Sequence, residues 1–180
     1  VTYFDVPLSH SLQRYIYEVC ADENVPVSLI IAMIDQESKF NPEVVSKTGD
    51  YGLMQINTIN HEWLAEEYRT ADMLDPYQNV FCGIKVIGSY IQNYNDYGLA
   101  LMAYNMGDYG AKKAWENGIK STSYSESVLA LMQKYEQEVN VNATYPTPWN
   151  SPLQGQEQSC WRGDLQGGSL LHYDREHPSL

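Results

Sequence analysis

The chain has 180 residues, enough for one domain with its own core and too few for two large ones. Apolar residues make up 43% and charged residues 19%, which excludes a disordered chain or a fibre. A formal charge of −12 argues against nucleic acid and anionic membranes as partners, since both are recognised by basic patches. No run reaches the roughly 18 apolar residues of a membrane span.

Leu12, Tyr15, Ile16, Val19 and Cys20 recur at helical spacing and predict a first helix. Pro26 opens a second, in which Val27 and Leu29 to Ile34 are apolar nearly all round. A helix without a polar face belongs in the middle of a domain. It runs out at Asp35-Gln36-Glu37-Ser38, and Asn41-Pro42 stops it. Ser46 to Gly52 is turn chemistry, either a loop or a small hairpin. Ile59 to Tyr68 reads as a short helix. Asp75 then caps a long one, with Pro76 at its first position and Val80, Ile84, Ile87 and Ile91 on its apolar face. Leu99 to Asn105, Tyr109 to Glu116 and Ser125 to Asn140 complete the helices. The class is mostly α with a small β or loop element around residues 46–58. The predicted domain spans residues 1–143. Residues 144–180 hold four of the eight prolines and show no helical period, so they read as an irregular tail or linker.

The 15 tyrosines and 4 tryptophans suit a carbohydrate or peptide groove as well as an ordinary surface. Cys20, Cys82 and Cys160 show no metal-ligand spacing; one disulfide plus a free thiol, or small core residues, are both open. The four histidines share no ligand spacing either, so no metal is expected.

Glu37 carries the most chemistry. It ends the most apolar helix, where partial desolvation favours its neutral form and makes it a proton donor. The same position also suits an exposed helix-end residue. The surrounding strings are Glu37-Ser38-Lys39-Phe40-Asn41-Pro42, then Ser46, then Gly52-Leu53-Met54-Gln55-Ile56-Asn57. Asp75-Pro76-Tyr77-Gln78-Asn79 and Ala103-Tyr104-Asn105-Met106-Gly107 follow.

In order and spacing this series resembles the soluble lytic transglycosylase family, over roughly residues 20–125. That family shares its fold with goose-type lysozyme. The resemblance implies a lysozyme-like fold. It also implies a peptidoglycan substrate, cut at the β-1,4 bond between N-acetylmuramic acid and N-acetylglucosamine, and action outside the cytoplasm in a bacterial or phage setting. It places Glu37 at the catalytic acid position. Ser46, Gln55, Tyr104 and Asn105 fall at substrate-side positions, with Tyr124 beside the acid. Asn57 stands where the family usually continues with Met-Pro, and is counted with the substrate-side residues.

A lytic transglycosylase uses one carboxyl twice, as acid and then as base, and leaves a 1,6-anhydro ring; the resemblance thus implies a chemistry that needs no metal and no organic cofactor. The string Asp50-Tyr51-Gly52-Leu53-Met54-Gln55-Ile56-Asn57 also resembles chicken-type lysozymes, in which that Asp is a second carboxylate. Asp50 is therefore either the partner of Glu37 in a hydrolytic muramidase or a turn aspartate. A catalytically silent glycan-binding or assembly module on the same fold is a third reading. Further wall-targeting domains or assembly partners are compatible with each. No segment is expected to insert into a membrane.

Overall fold

The structure is a computed structural model and describes residues 2–143. The expected tail at 144–180, with Cys160, lies outside the described residues. Among the described residues the fold has six helices and one short strand pair: α1 (His10–Glu23), α2 (Val27–Ser38), β1 (Asp50–Tyr51), β2 (Ile56–Asn57), α3 (His61–Tyr68), α4 (Pro76–Tyr94), α5 (Tyr97–Glu116) and α6 (Ser123–Ala143). A single 3-10 turn, Thr58–Asn60, leads into α3. The strands pair antiparallel, Asp50 opposite Asn57 and Tyr51 opposite Ile56.

The apolar second helix is the centre of the molecule. Leu29, Ile30, Ile31, Ala32, Met33 and Ile34 are all fully buried. Burying one Leu or Ile contributes about 1.5–3 kcal/mol, so α2 is pinned along its length. Its last turn, which carries Glu37, inherits that rigidity. α6 packs most extensively on α2; α4 packs on α5 and α1, and α5 on α6.

The predicted start signals hold, with small shifts. Asp75 caps α4 by accepting from the Gln78 N–H at 2.8 Å, and Pro76 is the first helical residue. Pro26 precedes α2 as its cap instead of sitting inside it. The short helix expected from Ile59 begins with the 3-10 turn and becomes α-helical at His61. The two helices expected on either side of Asn105-Gly107 are one run, α5, broken at Gly107, where φ is 79° and ψ 156°. Cys20 and Cys82 are free, buried thiols, which excludes a bond between them. Burial pushes Cys20 up to about 12 and Cys82 up to about 11.

Candidate active site

Glu37 lies in the last turn of α2 and is half-buried. The hydroxyl of Tyr124, in the first turn of α6, donates to its Oε1 at 2.6 Å. The start of α6 is itself locked. Thr122 Oγ1 accepts from the Ser125 N–H at 3.2 Å, while Ser125 Oγ accepts from the Thr122 N–H at 2.9 Å. This reciprocal cap satisfies helix-end donors and holds Tyr124 between its two members. Tyr124, which the resemblance places beside the acid, is thus in direct contact with Glu37.

The loop between β1 and β2, with the turn before it, forms a second cluster. Asp50 is buried, and its carboxylate accepts from Ser46 Oγ at 2.6 Å, Thr48 Oγ1 at 2.5 Å and Asn57 Nδ2 at 2.8 Å. Ser46 Oγ also accepts from the N–H groups of Asp50, at 3.0 Å, and Thr48, at 3.2 Å. One proton given and two lone pairs filled leave that hydroxyl no further capacity. Asn57 donates to Thr48 O as well, and its Oδ1 accepts from the Ile59 N–H at 3.1 Å. Ser46, Asp50 and Asn57 are therefore bonded to one another as the frame of the hairpin.

Gln55 adopts φ 49° and is buried. Its Nε2 donates to the carbonyls of Gly52 at 2.9 Å and Val44 at 3.2 Å. Its Oε1 accepts from none of the described residues. Tyr104 is buried on α5, and its hydroxyl donates to the Met54 carbonyl at 2.9 Å, tying helix to loop. Asn105 follows it, half-buried, two residues before the break at Gly107.

Asn79 is the residue whose role the sequence did not show. Fully buried on α4, it accepts from the Met54 N–H at 2.8 Å and donates to the carbonyls of Tyr51 and Met73, each at 2.8 Å. The string Asp75-Pro76-Tyr77-Gln78-Asn79 was its only signal. Gly52, at φ 72°, exists for this clamp: a Cβ there would stand 2.6 Å from Asn79 Nδ2 and from Met73 O. The close approach that this glycine permits is thus to α4. Among the described residues no group of three His, Cys, Asp or Glu is placed to hold a metal ion.

The family described as the transglycosylase SLT domain matches residues 14–128. The chain is 30% identical over 109 residues to a transglycosylase of Enterobacteria phage PRD1, covering 61% of this chain and 38% of that protein. It is 30% identical over 125 residues to a membrane-bound lytic murein transglycosylase F of Shewanella pealeana, covering 62% of this chain and 25% of that one. The chain thus spans well under half the length of these two relatives. Among solved structures, the lytic transglycosylase Slt of Pseudomonas aeruginosa superposes with a TM-score of 0.63 at 21% identity. That match covers 74% of this chain and 25% of the other. It shows a shared fold.

Proposed function

The chain belongs to the transglycosylase SLT domain family, and from that premise we propose that it is a peptidoglycan lytic transglycosylase with Glu37 as its single acid and base. The observation that carries this reading is the Tyr124 hydroxyl held 2.6 Å from Glu37 Oε1. A phenol can donate to a carboxyl in either protonation state. The bond is charge-assisted, and roughly twice as strong, only once the carboxyl has lost its proton. Tyr124 therefore favours the carboxylate that forms after proton transfer, without moving it. The end of α2 is the negative end of the helix dipole, which acts against the carboxylate that Tyr124 supports.

Glu37 gives its proton to the glycosidic oxygen, and the bond to C1 of the muramic acid breaks with its electron pair on that oxygen. The sugar's own N-acetyl oxygen bonds to C1 and takes up the developing positive charge. Glu37, now carboxylate, removes the proton from the 6-hydroxyl. O6 closes on C1 and displaces the N-acetyl oxygen. No water is consumed, and Glu37 ends protonated as it began. Gln55 Oε1 and Asn105 are the proposed polar contacts to the glycan, with Ser46, Asn57 and Tyr104 shaping the groove.

The hydrolytic alternative needs Asp50 on the substrate. Three side-chain donors already hold that carboxylate inside the hairpin, which supports a turn role. Action outside the cytoplasm follows from the proposed substrate.

Mass spectrometry of digested peptidoglycan is the test. Anhydro ends, lighter by one water than reducing ends, are expected; reducing ends would overturn the reading in favour of a muramidase. Glu37→Gln should lower the rate by about 10²–10⁴-fold. Unchanged clearing by that variant would remove Glu37 from both enzymatic readings, whereas a parent chain that clears nothing would leave only the silent glycan-binding module.

A further inference from the structure

Three consecutive polar residues end the apolar stretch of α2, and each accepts a hydrogen bond from a hydroxyl on α6. Tyr135 donates to Asp35 Oδ2 at 2.8 Å, Ser127 to Gln36 Oε1 at 2.8 Å and Tyr124 to Glu37 Oε1 at 2.6 Å. At the far end of the same antiparallel seam, Ser28 Oγ donates to Glu136 Oε1 at 3.1 Å. Between these bonds the seam is apolar, with Val128 and Met132 packed into the core. Apolar contact is non-directional and tolerates a small roll of one helix on another. A helix with its side chains is about 10–12 Å across, so a roll of about 10° carries a hydroxyl at its rim by about 1 Å. Tyr124 would then stand beyond hydrogen-bond range of Glu37.

We propose that Ser127 is a positioning residue for the proposed reaction. Its bond to Gln36, one residue from Glu37 and one helical turn from Tyr124, stops α6 from rolling and delivers the Tyr124 hydroxyl to the acid. Ser127 acts through Tyr124 and does not itself contact Glu37 Oε1. The Thr122–Ser125 cap fixes Tyr124 along the helix, and Ser127 fixes it around the helix. This inference deepens the reading of Glu37 as the acid and rests on it.

The experiment compares Ser127→Ala with Ser28→Ala in the whole chain. Each removes one hydroxyl from the seam, the first beside Glu37 and the second away from it. Asp35, Tyr135 and Glu136, the other titratable groups on the seam, stay in place in both, and Glu136 loses its donor only in Ser28→Ala. Glu37 is titrated by carboxyl ¹³C NMR, kcat and KM are measured on soluble glycan strands across pH, and thermal stability is recorded. Ser127→Ala should lower kcat by about 10-fold to 100-fold with KM little changed, the scale of an approximately 1 Å misplacement. Its Glu37 midpoint should move upward, as in Tyr124→Phe, because the carboxylate loses its donor. Ser127→Thr should restore both readouts. Combining Ser127→Ala with Tyr124→Phe should shift the midpoint no further than Tyr124→Phe alone. Ser28→Ala should lose stability with an unchanged midpoint.

A Ser127→Ala protein that is merely less stable, with the parent midpoint and pH profile, would overturn the proposal. So would additive shifts in the double variant. If the chain cleaves no glycan, the enzymatic reading fails, while the NMR titration still decides whether Ser127 positions Tyr124.

Discussion

Asn79 does for the hairpin loop what Tyr124 does for Glu37: one side chain fixes the geometry of a segment far away in sequence. Its amide joins three backbone groups in a buried setting. Removing it leaves the Met54 N–H and the carbonyls of Tyr51 and Met73 to relax or stay unpaired. Each buried unsatisfied group costs about 1–3 kcal/mol, so Asn79→Ala should lose about 3 kcal/mol in urea unfolding after partial relaxation. Asn79→Asp is the sharper variant. It keeps the acceptor for Met54 but turns a carboxylate oxygen toward two carbonyls. At neutral pH it should be less stable than the alanine variant; parent-like stability would show that the clamp is dispensable. The pairing of Asn79 with Met54, 25 residues away, leaves no local pattern to read. Glu37 was legible because both the apolar run before it and the motif around it mark it. Ser46 and Asn57 were legible as positions but not as bonds, since only the folded hairpin shows that their polar atoms serve Asp50.

Helices were legible to the degree that their signals were local. The apolar run of α2 announced its burial, and Asp75-Pro76 announced the start of α4. The seam between α2 and α6 was not legible, because its hydrogen bonds span 87 to 108 residues. The break in α5 lies between these cases. Asn105-Met106-Gly107 marked a boundary, but not that both halves continue as one run with a single non-helical residue. At φ 79° and ψ 156°, Gly107 sits in a region that is essentially restricted to glycine. Gly107→Ala should therefore cost about 1–3 kcal/mol. Its effect on turnover should exceed its effect on folding, because Tyr104 and Asn105 lie just before the break and Tyr104 holds the Met54 carbonyl. Thermal melts beside kcat on soluble glycan separate the two effects. A proportional loss in both would assign Gly107 a purely structural role.

The charge of the whole chain decides how it meets its proposed substrate. A basic enzyme concentrates on an anionic wall by attraction; a chain of −12 is repelled by anionic wall polymers. That repulsion reaches about 30 Å at 0.01 M salt and only about 8 Å at 0.15 M. Glycan cleavage itself, as proposed for Glu37, involves groups in direct contact and is screened much less. Two substrates therefore separate the effects. On intact walls carrying anionic polymers, activity should rise as salt increases over this range, because screening lets the chain approach. On glycan stripped of those polymers, it should change little. Strong binding to intact walls that weakens with salt would contradict this account and imply a basic face that outweighs the net charge. For the proposed wall substrate, approach against this repulsion is the step that a tethering domain would assist. Fusing a neutral wall-binding domain to the chain should then raise activity on intact walls most at low salt, where repulsion is longest in range.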